Sequence, residues 1–265
     1  MSDQVVVITG ASSGIGAALA AQLAARGDKV VLGARREQEL SQVAGSIGAH
    51  AVAVVTDVTR RKDVERLRDR ALEKYSHIDV WVNNAGRGIG RKVLELSDQD
   101  IEEMLAVNLL SAIYGMQAVV PHFQTRGEGH LINVSSFLSR VPFATYRSIY
   151  SASKSALNML TAQLRLDLAR DYPNIHVSLV IPGFVATPFA QSALWGTPAP
   201  TPATGPQGSQ TADEVASAII GLIEHPVPEL YTNPGSAETA RRYSQDVVTF
   251  EASMSAPHRP PQAER

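Results

Sequence analysis

The chain has 265 residues, 44% of them hydrophobic, which is long enough to bury one large core, and α/β folds of this size commonly remain a single domain. Lys plus Arg total 24 and Asp plus Glu total 26, so the net charge of -2 gives no electrostatic reason to expect a nucleic acid or an anionic membrane surface as partner. Cysteine is absent, which excludes disulfides, iron–sulfur ligation, thiolate zinc and a catalytic thiol.

Met1 to Gln4 carries no basic region, and the apolar run Val5 to Ile8 behind it is too short for a signal-peptide core. No later apolar stretch reaches the ~18 to 20 residues of a spanning helix, so a cytoplasmic location without membrane contact is the default expectation. From there on, β-branched runs alternate with helical patterns, as βαβ units of a parallel sheet do. Val5 to Thr9 reads as a strand and Ile15 to Arg26 as an Ala- and Leu-rich helix, with Gly27 at its stop position. Val30 to Ala34 and Ala51 to Val55 follow as strands whose near-continuous hydrophobicity fits burial on both faces. A charged amphipathic helix spans about Arg61 to Tyr75, then Val80 to Asn83 gives a strand, Asp98 to Phe123 a long helix and His130 to Ser135 the next strand. Ile149 to Asp171 reads as a second long helix, followed by a strand over Val177 to Ile181. Thr197 to Gly208, rich in Pro, Gly and Thr, reads as a mobile loop. A helix over Ala212 to Glu224 and a short strand near Glu229 to Tyr231 complete the pattern, and Ala256 to Arg265 reads as a disordered tail. The expectation is an α/β, Rossmann-type, doubly wound parallel sheet of about seven strands with helices on both faces. Residues 1–255 would form one dinucleotide-binding and catalytic domain, with a substrate loop at about 184–210.

Directly after the first strand comes Thr9-Gly10-Ala11-Ser12-Ser13-Gly14-Ile15-Gly16, leading straight into a helix. Glycines there permit a tight turn and close backbone approach to a pyrophosphate, and the helix N-terminus offers free N–H groups and the positive dipole end. The spacing is Gly-x-x-x-Gly-x-Gly, not the Gly-x-Gly-x-x-Gly of the general dinucleotide fingerprint. In this form it resembles the cofactor turn of the short-chain dehydrogenase/reductases. Three further segments resemble the same family in the same order: Asn83-Asn84-Ala85-Gly86 after the fourth strand, Tyr150-Ser151-Ala152-Ser153-Lys154 opening a long helix, and Pro182-Gly183 after the sixth strand. Together they cover about Val5 to Thr187.

A Rossmann-type site places an acidic residue after the second strand for the ribose 2′-OH of NAD, or an arginine for the 2′-phosphate of NADP. Here that strand ends Gly33-Ala34-Arg35-Arg36, with no carboxylate. Arg35 is the best candidate for the 2′-phosphate, since a guanidinium fork matches phosphate geometry. NADP(H) is therefore favoured over NAD(H), against the plainer reading of Arg35 and Arg36 as solvated charges at a helix start. The resemblance further implies that Asp57 and Val58 contact the adenine, although Asp57 also suits a helix cap. It implies that Asn84, Ala85 and Gly86 lie beside the cofactor, and that Pro182, Gly183, Val185 and Thr187 approach the nicotinamide or the phosphates.

Tyr150 and Lys154 are four residues apart, hence on one face of a helix about one turn apart. Lowering a phenol by about three pK units requires roughly 4 kcal/mol, which one cation at about 4 Å supplies at an effective dielectric of 20. A well-placed lysine, helped by an oxidised nicotinamide, is enough by that arithmetic. Reduction of a ketone also needs the developing alkoxide held, and Ser136 at the end of the fifth strand can supply that hydrogen bond. The family motif selects Ser136 over Ser135, while the 14-residue distance from Ser136 to Tyr150 leaves both serines open. The same resemblance implies Asn108 as a fourth catalytic member, holding a water that links the lysine to solvent.

Phe184, Phe189, Leu194 and Trp195 read either as an apolar lid over substrate or as ordinary core. The seven histidines lack the spacing of a metal site. The resemblance implies a small carbonyl or alcohol substrate and a homodimer or homotetramer. An NAD(H)-dependent alcohol dehydrogenase and a non-catalytic dinucleotide-binding regulatory protein are the alternative functions.

Overall fold

The computed structural model describes residues 3–190, 193–195 and 208–255. In chain order the elements are β1 (Val5–Thr9), α1 (Gly14–Ala25), β2 (Lys29–Ala34), α2 (Glu37–Ile47), β3 (Ala51–Val55), α3 (Arg61–Tyr75), β4 (Val80–Asn83) and β5 (Ile89–Gly90). Then come α4 (Asp98–Leu105), a π-helical segment (Ala106–Leu110), α5 (Ser111–Arg126), β6 (Gly129–Val134), α6 (Ser148–Ala169), β7 (Ile175–Ile181) and β8 (Val185–Ala186). The chain continues through β9 (Leu194–Trp195), β10 (Gln210–Thr211), α7 (Ala212–Glu224), β11 (Glu229–Tyr231), α8 (Pro234–Gln245) and α9 (Val247–Ser255).

Seven strands form one parallel sheet in the order β11-β7-β6-β4-β1-β2-β3, the doubly wound Rossmann-type arrangement expected from the sequence. Alternate residues of the inner strands β1, β2, β4, β6 and β7 enter opposite cores, which is why these strands read as unbroken apolar runs, whereas β3, expected to be covered on both faces, is an edge strand that leaves Ala53 and Val55 exposed. Val6, Ile8, Val30 and Leu32 pack with Leu19 and Leu23 of α1 and Ile219 of α7. Val7, Val31, Trp81 and Leu131 pack on the other side with Leu67 of α3, Phe123 of α5 and Leu157 of α6. The chain winds outward from β1 to β3, then returns to β4 on the other flank of β1. The crevice outside the carboxyl ends of β1 and β4 is the switch point at which open α/β sheets bind ligands.

Three elements differ from expectation. The helix α2 was not anticipated: Leu40, Val43, Ala44 and Ile47 make a narrow apolar stripe, and of these only Leu40 is fully buried. The tract after β11 forms α8 and α9, with Asn233 capping α8 at Gly235 N–H (3.0 Å) and Pro234 at its first turn. The long helix expected over Asp98 to Phe123 is a continuous helical run to Arg126, interrupted by the π segment and ended by Gly127 at φ 76°. That run also contains an apolar window of membrane-spanning length, which the sequence reading did not find; more than half of the window is buried within the protein. Of the expected Pro-rich loop Thr197 to Gly208, all but Gly208 lies outside the described residues, as does the expected tail Ala256 to Arg265.

Candidate active site

The first turn is built so that backbone can approach backbone. Gly10 and Gly14 hold φ angles of 70° and 57°, which L side chains rarely adopt, and a Cβ on Gly16 would lie 2.7 Å from both the Gly10 carbonyl and Asn84 Nδ2. Asn84 fastens the turn to the end of β4: its Nδ2 donates to the Thr9 carbonyl (2.9 Å) and its N–H to Thr9 Oγ1 (3.0 Å). The N-cap of α1, Ser13, makes no side-chain cap, so the helix end keeps unsatisfied N–H groups beside the cavity wall formed by Gly14 and Ile15. A glycine cradle that side chains would fill, with an uncapped positive helix end, fits a pyrophosphate.

This turn is one end of a cavity of about 860 Å³ at the switch point. Arg35, Arg36, Asp57 and Val58 line its outer end, and Arg36 is tethered by Nη2 to Ser12 Oγ (2.9 Å) and Ser13 Oγ (2.7 Å). Asp57 accepts from the N–H (3.1 Å) and hydroxyl (2.7 Å) of Thr59; it shapes the turn before α3, whose N-cap is Arg60. Pro182, Gly183, Val185 and Thr187 form the wall after β7, where Thr187 closes over Gly14.

At the other end, α6 brings Tyr150 and Lys154 onto the cavity wall, with Lys154 reaching the end of β6. Ser136 lines the same end of the cavity as Tyr150, and its hydroxyl acts to lower the pKa of the phenol, whereas Ser135 donates to Asn158 Oδ1 (2.6 Å). Both serines left open by the sequence line the cavity, but the Ser135 hydroxyl is engaged by Asn158, which favours Ser136 as the one that serves the phenol. Lys154 Nζ donates to the Val134 carbonyl (2.8 Å), and burial lowers its ammonium to about 8. The phenol departs from expectation. Burial pushes the Tyr150 pKa above its ordinary value, and the groups that pull it back are the Ser136 hydroxyl and the Arg147 guanidinium, not Lys154. The lysine is spending its charge against its own desolvation.

Two expected residues lie behind the wall. Gly16 supports the turn, and Asn108 sits in the π segment with both amide groups on the backbone of Arg87, Oδ1 accepting from N–H and Nδ2 donating to the carbonyl, each at 2.9 Å. Gly86 links Asn108 to the lysine: a Cβ there would lie 3.2 Å from Asn108 Oδ1 and 3.6 Å from Lys154 Nζ. π segments occur mostly as single turns at functional sites.

Phe189 lies with its ring centroid 5.6 Å from that of Tyr150, and Phe184 stacks edge-on against Phe143 at 6.1 Å. Leu194 packs with Ile89, Met104 and Tyr150, its N–H bonded to the Gly88 carbonyl (2.9 Å). Phe184 and Phe189 thus line the cavity, and Leu194 belongs to a small core beneath it; the Trp195 side chain lies outside the described residues. Sequence reasoning missed Thr56, Leu138 and Arg147 on the wall. Arg147 had a signal: it stands three residues before Tyr150, on the same helical face as Tyr150 and Lys154.

The fold and this cavity define a Rossmann-type α/β protein with a nucleotide-sized site at its switch point. The chain belongs to the short chain dehydrogenase family, whose pattern matches residues 4–195. An uncharacterized oxidoreductase of Staphylococcus saprophyticus is 38% identical over 200 residues, 74% of this chain and 84% of that protein. Another, from Staphylococcus epidermidis, is 32% identical over 226 residues, 85% of this chain and 93% of the relative. Among solved structures, a short chain dehydrogenase/reductase from Burkholderia phymatum in complex with NAD superposes with a TM-score of 0.84 at 28% identity, covering 98% of each chain. An alcohol dehydrogenase from Thermococcus sibiricus complexed with 5-hydroxy-NADP gives 0.75 at 31% identity, covering 87% of this chain and 96% of the other. The chain is an oxidoreductase of this family.

Proposed function

We propose that the protein transfers hydride between NADP(H) and a carbonyl or secondary alcohol, with Tyr150 as the proton-transfer group. The observation that carries this reading is the meeting of Tyr150, Ser136 and Lys154 at one end of a cavity whose other end is the glycine turn. The dinucleotide, when bound, supplies or takes up the hydride. In reduction the Tyr150 hydroxyl donates its proton to the oxygen of the substrate, and the Ser136 hydroxyl bonds that same oxygen as charge develops on it. Lys154 serves the nicotinamide ribose and the proton path, and Asn108 fixes the backbone behind it. Oxidation of the alcohol reverses each step. Substituting Tyr150→Phe removes the transferable proton with little change of shape, so turnover of a carbonyl panel should fall by roughly 10²- to 10⁴-fold.

Arg35 on the cavity wall after β2, with no carboxylate at that strand end, supports NADP(H) as the cofactor. A titration of NADPH and NADH side by side tests it: wild type should bind NADPH more tightly, and Arg35→Ala should lose at least about tenfold for NADPH alone, the size of a charge-assisted phosphate contact. The NAD held by the Burkholderia relative favours the second reading, an NAD(H)-dependent alcohol dehydrogenase. NADH binding as tightly as NADPH, with Arg35→Ala without effect, would move that reading to first place.

A further inference from the structure

Tyr150, Lys154 and Asn158 recur at every fourth position of α6, so they form one row along the helix, and all three are buried. Tyr150 and Lys154 line the cavity, while Asn158 lies one turn farther along, behind its wall. An asparagine inside a helix is unfavourable unless its amide is engaged. Both ends of this amide are engaged, and by one loop. Oδ1 accepts from Ser135 Oγ (2.6 Å) and Nδ2 donates to Ser139 Oγ (2.8 Å), two residues that flank Ser136 after β6.

Each hydroxyl has one hydrogen to give, so these bonds run in a fixed direction. Ser135 gives its hydrogen to Asn158 Oδ1, the shortest of its contacts; Ser139 Oγ and the Lys154 carbonyl stand at 3.3 and 3.4 Å. Asn158 Nδ2 gives one to Ser139 Oγ, and Ser139 Oγ gives its own to the Ser136 carbonyl (2.5 Å). That carbonyl also takes the Ser139 N–H (3.0 Å), which closes the single 3₁₀ turn Phe137–Ser139 with Ser136 as its N-cap. Ser136 Oγ accepts from the Leu138 N–H (3.2 Å), so its hydroxyl hydrogen is left for another acceptor. The exposed Ser155 also reaches the Ser139 carbonyl (2.8 Å), but it stands as near the Ser151 carbonyl of its own helix (2.9 Å) and has one hydrogen for both. Asn158 is the buried tie between this turn and α6.

We propose that Asn158 is a positioning residue for Ser136: its amide clamps the turn that carries this serine to the helix that carries Tyr150 and Lys154, and so sets where the Ser136 hydroxyl stands relative to them. The inference rests on the roles of Ser136 and Tyr150 given above and extends them. The polarity of the clamp matters as much as its presence. An ionised carboxylate in place of the amide keeps its shape and still accepts from Ser135, but has no hydrogen for Ser139. Ser139 then turns its own hydrogen to the carboxylate and releases the Ser136 carbonyl.

The test is a set of double-mutant cycles. Asn158→Asp, Asn158→Leu and Ser139→Ala are each made in wild type and in Ser136→Ala, and single-turnover oxidation of NADPH by the carbonyl panel is followed at about pH 8. NADPH binding reports that each variant is folded, and the three substitutions break the clamp from both of its ends, so one that folds is enough. A reacting group misplaced by about 1 Å costs on the order of 100-fold, so the rate should fall by about 10- to 100-fold while NADPH affinity stays within about twofold. In Ser136→Ala there is no hydroxyl left to place, and the same substitutions should cost less than about twofold more. Losses that multiply with that of Ser136→Ala, or a rate unchanged in the single variants, overturn the proposal. Turnover retained by Tyr150→Phe or by Ser136→Ala would instead overturn the reading of the reaction on which it rests, so the two failures are distinguishable.

Discussion

Lys154 shows at one residue how this site is at odds with stability. It is 4% exposed, and burial lowers its ammonium from 10.5 to about 8. The folded chain therefore binds this proton less tightly than the unfolded chain does. The resulting cost is present in full below about pH 8, fades as pH rises toward 10.5, and amounts to about 3 kcal/mol at neutral pH. Replacing the ammonium with a thioether of similar length should remove that cost and leave the Val134 carbonyl unpaired, a loss of about 1 kcal/mol. Lys154→Met should therefore be more stable than wild type by roughly 1–2 kcal/mol at pH 7, and no more stable at pH 10.5, while losing turnover. Urea unfolding at the two pH values measures this, and a variant weaker than wild type at pH 7 would refute it.

At the scale of elements, a buried polar chain fastens the helices that carry the site to the sheet. Trp81 Nε1 donates to Asn83 Oδ1 (2.7 Å), Asn83 Nδ2 to Asn133 Oδ1 (2.9 Å), and Asn133 Nδ2 to Thr161 of α6 (2.9 Å). It is possible because Gly115 lets α5 lie directly on Asn83 and Trp81; a Cβ at Gly115 would overlap both side chains. Gly115→Ala should cost roughly 2–3 kcal/mol by overpacking and lower Tm by about 5–10 °C. Gly221 of α7 has open space where a Cβ would stand, so Gly221→Ala should gain about 0.5–1 kcal/mol from helix propensity. Calorimetry on the two variants should give shifts of opposite sign. This contrast also explains what the sequence disclosed. Strands and the helices α3 and α7 were legible because their apolar period is strong, and the glycine turn, Tyr150 and Lys154 because chemistry fixes their spacing. The helix α2 was hidden by its narrow stripe, and the π segment because nothing in Ala106–Leu110 marks the extra residue in its turn. The Asn83–Asn133 contact was not legible, since it joins residues 50 positions apart, whereas Arg147 carried a signal in its three-residue spacing from Tyr150.

For the whole molecule, His130 of β6 makes the fold sensitive to acid. It is 4% exposed between β4 and β7, with Nε2 2.8 Å from Ser178 Oγ. Ser178 gives its own hydrogen to the Val227 carbonyl (2.7 Å), so the imidazole must be the donor, neutral and protonated on Nε2. Its Nδ1 has no partner among the described residues, and the His176 ring stands edge-on at 5.8 Å. Burial, aided by His176, lowers the His130 pKa from 6.5 to about 3. Above pH 6.5 neither folded nor unfolded chain protonates this ring and it contributes no pH dependence. Below 6.5 the unfolded chain takes up a proton that the folded chain refuses, so stability falls by about 1.4 kcal/mol for each pH unit until the folded value is reached. A loss of roughly 4 kcal/mol near pH 3.5 is a large part of the 5–15 kcal/mol that holds a domain together. His130→Leu gives up the hydrogen bond to Ser178, about 1 kcal/mol at pH 7, but removes the titration. The two stability curves should therefore cross between about pH 5 and 6, with the variant the more stable at pH 4. Carboxylates elsewhere titrate alike in both proteins and cancel in the difference, so a difference that stays constant from pH 7 to pH 4 would show that His130 is not the group that couples this fold to acid.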